Sequence, residues 1–141
     1  MTIEPELVTR KLLLIAADLE LLTGIAERGL GAYLSNAVDQ AVVERRLERA
    51  IGRMIDVNYH LLTASGQPPP PDYHSSFLRL ADFGVIDAEF AGQIARAAGL
   101  RNRLVHDYDA LDQRLVFEAL ADARRDVPRY LAAVNNYLQR G

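Results

Sequence analysis

The sequence contains no cysteine and no hydrophobic run long enough to cross a membrane. The absence of cysteine excludes disulfides and thiolate metal sites, and the chain needs no oxidising compartment in order to fold. The apolar run LLLIAA near the N-terminus is cut short by Asp18 and Glu20, far below the roughly 20 residues of a membrane span. No small-residue cleavage site follows it. These absences predict a cytoplasmic protein without a membrane partner.

Lysine is almost absent, since Lys11 is the only lysine among the 16 basic residues. The planar fork of arginine suits phosphate and carboxylate groups, although a genome-wide codon bias explains the composition at least as well. The net charge of −3 excludes an attraction of the whole chain to nucleic acid. Binding of nucleic acid therefore has to rest on a local basic patch.

Length and periodicity predict one helical domain over residues 1–141, because half of the 141 residues are hydrophobic and suffice for one core. Apolar residues recur at steps of three and four, which is typical of amphipathic helices, and no stretch alternates as a strand does. The predicted fold class is all-α, an antiparallel helical bundle of four to five helices. The predicted helices span 5–28, 35–64, 73–83, 88–105 and 112–138.

Prolines, glycines and aspartates set the expected helix boundaries. The segment SGQPPPPD, residues 65–72, predicts a stiff proline-rich linker rather than a ligand for a proline-recognising domain, because consecutive prolines fix the backbone and remove donors. Pro128 either kinks the last helix or starts a new segment capped by Asp126. The other predicted boundary residues are three helix-ending glycines and one N-cap: Gly29, Gly31, Gly84 and Asp87.

Several kinds of catalytic site can be set aside from the sequence. None of the three histidines, His60, His74 and His106, has a partner at the spacing that places two metal ligands on one helix face. The glycines form no phosphate-binding loop, and no serine lies in a nucleophile elbow. We therefore expect neither a metal nor a cofactor, and we interpret His60 and His74 as structural.

The stretch GLRNRLVHDYDALD, residues 99–112, concentrates groups that bind phosphate, move protons or present a hydroxyl. On an ideal helix Arg101 and His106 lie about 140° apart, so they do not share one straight face. Either the helix unwinds near His106, or the site is completed across a symmetry axis by a second copy. A purely structural interpretation remains open, with cations near the negative end of the helix dipole and an aspartate-rich cap after them.

The motif GLRNRLVHDY resembles the signature of the HEPN superfamily, and specifically that of HepT-like toxins. Arg101 is followed after four residues by His106 and after one more by Tyr108, and Asn102 matches the polar residue that usually follows the arginine. The segments ERRLERAIGRMIDVNYHLL and YHSSFLRLADFGVID, the proline-rich linker between them and the aspartate-rich start of the last helix also match that family in order and spacing. The resemblance covers most of the chain.

The resemblance implies a helical homodimer whose two motifs face each other in a cleft and act as a metal-independent endoribonuclease. His106 suits proton transfer near neutral pH, Arg101 suits clamping of phosphoryl oxygens, and Asn102 and Arg103 are candidates for supporting the substrate. The resemblance further implies a cognate MntA-like nucleotidyltransferase antitoxin. That antitoxin is expected to silence the toxin by transferring AMP to Tyr108.

Two other possibilities follow from the sequence. The row Arg45, Arg49 and Arg53 lies on one face of the second helix and either tracks an RNA backbone or forms a solvated face paired with Glu48 and Asp56. The alternative function is that of a non-catalytic helical partner or regulatory subunit of a nucleotidyltransferase. That function has no need of Arg101 and His106 together.

Overall fold

The computed structural model describes residues 2–140, without the side chain of Tyr108. Within these residues the chain forms seven α-helices and two short 3-10 turns, and no strand is present, which confirms the predicted all-α class. None of the described helices is apolar over a sufficient length to pass through a membrane. The helices are α1 (Pro5–Ala26), α2 (Leu30–Leu34), α3 (Ala37–Ala64), α4 (Tyr73–Leu80), α5 (Ala88–Ile94), α6 (Arg96–His106) and α7 (Gln113–Arg140).

The long helices α1, α3 and α7 form the centre of the bundle. The Glu4 backbone N–H at the start of α1 donates to Nε2 of His60 near the end of α3, at 3.0 Å, so these two helices are antiparallel. At the start of α7, Nε2 of Gln113 donates to Glu44 at 2.7 Å. Helix α7 therefore runs parallel to α3 and antiparallel to α1. The apolar stripes of all three helices contribute to one continuous buried core.

A buried polar network ties α4 and α7 to α3. Nδ2 of Asn58 donates to Oγ of Ser76 at 3.1 Å, and the Tyr130 hydroxyl donates to Oδ1 of Asn58 at 2.6 Å. All three side chains are buried, and burial raises the pKa of the Tyr130 phenol well above its ordinary value. Since the polar atoms of this network satisfy one another, it stabilises α4 on the surface of α3.

The fourth predicted helix, 88–105, is divided at Ala95 into α5 and α6. The carbonyl oxygen of Ala95 accepts a 3-10 type bond from the Ala98 N–H at 3.1 Å, and the His74 ring lies 3.3 Å from the same oxygen. A side chain from α4 thus stabilises the irregular turn. This division and the short helix α2 raise the number of helical segments above the four to five of the predicted bundle.

The remaining boundaries follow local chemistry. Helix α1 ends at Ala26, while Gly29, with φ at 91°, precedes α2 and Gly31 lies inside it. Helix α7 continues through Pro128, so the alternative of a new segment capped by Asp126 is wrong. The Asp126 carboxylate instead accepts hydrogen bonds from Gln93 and Arg125. Two predictions are confirmed, since Gly84 ends the third helical stretch in the left-handed conformation and Asp87 caps α5.

Candidate functional site

Helix α6 carries the motif and remains helical as far as His106. The Asp107 N–H donates to the Arg103 carbonyl at 2.8 Å and closes the last turn, after which Tyr108–Ala110 forms a 3-10 turn. The helix therefore ends near His106, as one alternative expected, but it stays regular from Arg101 to His106, so its end does not bring these two residues onto one face. His106 is exposed, whereas the side chain of Tyr108 lies outside the described part of the structure.

Arg101 leans away from His106 and against α3 and α4. Its Cζ lies 5.3 Å from the centroid of the Tyr73 ring, which is within the range of a cation–π contact. The guanidinium passes close to Gly52 on α3, since a methyl group there would lie 3.5 Å from Nε of Arg101, at ordinary van der Waals contact. Within the described residues, this Nε is buried and has no hydrogen-bond partner. The guanidinium therefore retains an unsatisfied donor at this site.

A cleft of about 310 Å³, which we call the tyrosine cleft, opens beside this arginine. The rings of Tyr59 and Tyr73 meet edge to face with their centroids 6.2 Å apart. The Tyr59 hydroxyl donates to the Pro70 carbonyl at 3.3 Å, so the proline-rich linker holds the aromatic pair in place. Burial is the largest cause that raises the pKa of Tyr59. The cleft is lined by Gly52, Ile55, Asp56, Tyr59, Tyr73 and Arg101.

A second, shallower cleft of about 260 Å³ lies on the other side of Gly52, and we call it the arginine cleft. It contains two members of the predicted arginine row, Arg49 and Arg53, and it shares Arg101 with the tyrosine cleft. Its lining residues are Glu48, Arg49, Gly52, Arg53, Asp56 and Arg101. Three arginines therefore converge on one surface of α3 and α6.

The expected pairing of the arginine row is only partly observed. Arg45 pairs with Glu48 at 3.4 Å, as expected for residues three apart. Arg53 does not pair with Asp56, because its guanidinium reaches the buried carboxylate of Asp18 on α1 at 2.8 Å. Asp56 pairs instead with Lys11 at 3.4 Å. For Arg53 and Asp56, contacts with α1 thus replace the pairing that the spacing along α3 predicts.

The structure separates the other predicted site residues. Asn102 is exposed one turn before His106, on the outer surface of α6. Arg103 lines a different cavity of about 200 Å³ between α3, α6 and α7, together with Asp122 and Asp126. Arg103 is therefore not part of the surface around Arg101. A single chain does not bring Arg101 and His106 together.

The sequence alone did not identify the aromatic side of the site. Gly52 carries the signal that was available, because a glycine inside a long helix costs about 1 kcal/mol relative to alanine and usually has a packing or functional reason. Tyr59 and Tyr73 come from two helices separated by the linker, and their proximity depends on how α4 packs on α3. Among the described residues, no group of three His, Asp or Glu side chains is arranged to hold a metal ion.

Comparisons with known proteins identify relatives of this chain. The family model for ribonuclease HepT-like proteins matches residues 15–134. The chain is 35% identical over 136 residues to the tRNA nuclease HepT of Aphanizomenon flos-aquae. The aligned residues cover 96% of this chain and 92% of that protein.

Two solved structures share the fold. A tri-AMPylated HEPN toxin of Shewanella oneidensis, in complex with MNT antitoxin, superposes with a TM-score of 0.82 at 21% identity, covering 92% of this chain and 96% of the toxin. YutE of Bacillus subtilis, a cytosolic protein of unknown function, superposes with a TM-score of 0.84 at 15% identity, covering 99% of this chain and 94% of YutE. At these identities the likeness is one of fold.

Proposed function

Because the chain belongs to the ribonuclease HepT-like family, we propose that it is a metal-independent endoribonuclease and the toxin of a toxin–antitoxin pair. The name of the tRNA nuclease HepT supports RNA as the substrate. The observation that carries the proposal is the arrangement on α6, where Arg101 projects into a cleft and His106 is exposed at the helix end. As a protein of this kind it acts in the cytoplasm.

The proposed reaction is transesterification at a phosphodiester of RNA. The ribose 2′-oxygen attacks phosphorus, the bond from phosphorus to the 5′-oxygen breaks, and a cyclic phosphate and a free 5′-hydroxyl form. One imidazole of His106 accepts the proton of the 2′-hydroxyl, and a second donates a proton to the departing oxygen. Arg101 stabilises the negative charge of the phosphorane with its guanidinium, and Asn102 orients His106 or holds a phosphate oxygen.

A homodimer supplies the second imidazole. Each chain has one histidine in the motif, and α6 keeps Arg101 and His106 on different sides because it stays regular through His106. A two-fold axis near the end of α6 brings two copies of the motif to one cleft. Dimerisation is then part of the mechanism, and an isolated chain holds an incomplete site.

Regulation is proposed to act through Tyr108, at the start of the turn that follows His106. A cognate MntA-like nucleotidyltransferase transfers AMP from ATP to the phenol, forming a phosphodiester and releasing pyrophosphate. The structural relative that carries three AMP groups in complex with MNT antitoxin supports this regulation. The adenylyl group places negative charge beside His106 and opposes the approach of an RNA phosphate.

The test is cleavage of tRNA or total RNA by the purified protein in excess EDTA, with His106→Ala as the matched variant. We expect the wild-type protein to cut in EDTA and to leave cyclic phosphate ends, and the variant to be at least about 100-fold slower. Activity that disappears in EDTA and returns with Mg²⁺ refutes metal independence. Equal cleavage by the two proteins refutes the assignment of His106.

A further inference from the structure

Two clefts of different chemistry meet at Arg101. The tyrosine cleft presents aromatic rings, and the arginine cleft presents Arg49 and Arg53. Gly52, Asp56 and Arg101 belong to both clefts, so the two are continuous across the surface of α3. A ligand that fills both has a flat aromatic part joined to an anionic part.

We propose that these clefts form a nucleotide subsite, in which a base of single-stranded RNA stacks on Tyr73 and its phosphate lies between Arg49 and Arg101. The inference rests on the proposed function, because it assigns part of the same RNA-binding surface. It adds contacts from α3 and α4 to those of Arg101, the residue of the motif that lines both clefts. It also gives Tyr73 a direct role in binding.

The geometry of the tyrosine cleft fits a base. Its volume of about 310 Å³ lies at the lower end of the range of roughly 300 to 1,000 Å³ that is typical of small-molecule sites. Tyr73 is 41% exposed although its ring is large and apolar, and its contact with Tyr59 keeps it from turning freely. Single-stranded RNA is bound elsewhere by stacking of unpaired bases on aromatic rings and on arginine planes. The Arg101 guanidinium already lies over the Tyr73 ring, so the base stacks on the other face of the ring or takes the place of the guanidinium.

The charges of the arginine cleft fit a phosphate. Its three arginines and two acids leave a formal charge of +1 from the residues that line it. Both acids are engaged elsewhere, since Glu48 pairs with Arg45 and Asp56 with Lys11. Arg53 is held by Asp18, so its guanidinium is fixed in place. Arg49 and Arg101 are the arginines of the cleft that are placed to contact an incoming anion.

The unsatisfied donor on Arg101 also points to a ligand. Its buried Nε has no partner within the described residues, and an unmade hydrogen bond of a buried donor is unfavourable. Because the atom is buried, a base carbonyl or a phosphate oxygen entering beside Gly52 reaches this N–H only after the guanidinium moves. Binding then removes an unfavourable feature of the free protein.

The experiment is a binding cycle on protein that carries His106→Ala, so that the RNA is not cut. The probes are a fluorescein-labelled RNA decamer of alternating adenylate and cytidylate and an abasic decamer with the same backbone, both at one fixed salt concentration. Anisotropy gives Kd for each probe with and without Tyr73→Leu. If a base stacks on Tyr73, Tyr73→Leu should raise Kd for the base-bearing decamer by about 5- to 150-fold. Kd for the abasic decamer should change by less than about twofold.

Two control variants separate stacking from other effects. Tyr73→Phe keeps the ring and restores binding. Tyr137 is the control ring, because it also has an arginine beside it: Cζ of Arg140 lies 5.4 Å from the Tyr137 centroid. Tyr137→Leu should leave both Kd values unchanged. Circular dichroism melting verifies that each variant is folded, which is expected for Tyr73→Leu because the ring is largely outside the core.

Three results overturn the inference. Equal weakening of both decamers means that Tyr73 only positions Arg101, and no weakening of either means that the ring contacts no base. If Tyr73→Leu weakens the binding of AMP but not the binding of RNA, the site takes a free nucleotide. Failure of the proposed function is a separate result, because it appears as wild-type protein that does not cut RNA, whereas this assay needs no cleavage.

Discussion

Arg101 and His106 lie on one regular helix, α6, and on different sides of it, since five residues at about 100° each leave the two side chains about 140° apart. Arg101 contacts α3 and α4, and His106 is exposed at the helix end. The same chain therefore does not place both groups on one phosphate. The proposed mechanism requires a partner chain for this geometrical reason.

Replacing either residue by alanine is expected to abolish RNA cleavage without unfolding the protein. His106 is exposed, and the half-buried Arg101 loses a cation–π contact of about 0.5–2 kcal/mol together with the packing of its side chain against α3. Cleavage should fall by at least about 100-fold in each variant, while the melting temperature and helical content stay close to those of the wild type. Arg96 is an exposed arginine on the same helix, so Arg96→Ala is the control variant and should cut RNA at the wild-type rate. Unfolding of either variant would show that the residue is structural.

A mixed dimer tests whether one site uses both histidines. Wild-type and His106→Ala chains with different affinity tags are coexpressed, and the heterodimer is purified through both tags. If the two imidazoles share one reaction, the heterodimer loses about 100-fold or more of its activity. Two independent sites predict about half of the wild-type rate instead. Sedimentation of the wild-type protein adds a second criterion, because a monomer at micromolar concentration that still cuts RNA excludes a shared site.

The sequence predicted the helices well where local chemistry determines them. The apolar period placed α1, α3 and α7 to within a few residues, because burial of one face decides a long amphipathic helix. It did not predict the division at Ala95, where the ring of His74 meets the Ala95 carbonyl from 21 positions away. Nor did it predict the partner of Arg53, since Asp18 on α1 is closer in space than Asp56 one turn along α3. Both misses are tertiary contacts that override local spacing.

The candidate site divides in the same way. Arg101, Asn102 and His106 lie within one short stretch of α6, and the sequence identifies them through the resemblance of GLRNRLVHDY and its helical context rather than through spacing alone. The cleft around Arg101 is lined by Gly52 and Tyr73, which lie far from the motif along the chain and approach it only when α3, α4 and α6 pack. Spacing along the sequence does not predict that these residues contact one another in the fold.

Asp18 should be essential for stability. Its carboxylate is 1% exposed and accepts one hydrogen bond each from Arg46 and Arg53, both at 2.8 Å. Breaking a buried ion pair costs roughly 3–5 kcal/mol, and the lower end applies here because both arginines are partly exposed. Asp18→Ala should lower the melting temperature by about 10 °C. Asp56→Ala, which removes the exposed partner of Lys11, should cost about 0–1 kcal/mol.

The N-cap of α4 makes stability depend on pH in the acid range. The Ser75 backbone N–H donates to the Asp72 carboxylate at 2.7 Å, and this bond is the main cause that lowers the pKa of Asp72. Because the pKa of Asp72 is lower in the folded than in the unfolded protein, the ionised carboxylate stabilises the fold fully when the pH is above the unfolded pKa of about 3.9. This stabilisation is lost as the pH falls through the folded-state pKa. The difference in melting temperature between wild type and Asp72→Asn should therefore be largest near neutral pH and shrink below about pH 4.

The exposed Asp82 provides the control for that measurement. Asp82→Asn removes one negative charge and leaves the titrating carboxylate of Asp72 at the cap of α4, whereas Asp72→Asn keeps a capping oxygen that does not titrate. Its melting difference from the wild type should change little over the same pH range. If Asp82→Asn and Asp72→Asn change the melting temperature alike over this pH range, the net charge of the protein rather than the cap of α4 determines how stability falls at acid pH.

Tyr108 is expected to be the regulatory acceptor of AMP. Its backbone starts the turn Tyr108–Ala110, directly after α6 and between the exposed residues Asp107 and Asp109. Coexpression with the cognate MntA-like nucleotidyltransferase should add one or more AMP units to this residue and suppress growth inhibition. Tyr108→Phe keeps the ring and removes the acceptor oxygen, so it should stay toxic in the presence of the transferase.

The position of the modification distinguishes this switch from incidental labelling. Each adenylyl unit carries a phosphate, and the proposed switch requires that this added negative charge oppose the approach of an RNA phosphate to the motif. Intact-mass spectrometry counts the units, and peptide mapping locates them. Tyr73→Phe is the matched variant, because Tyr73 is exposed, and it should remain modified and protected. AMP found only on Tyr73 or Tyr130, or full neutralisation without any AMP, would show that the antitoxin acts elsewhere, by binding alone or through another residue.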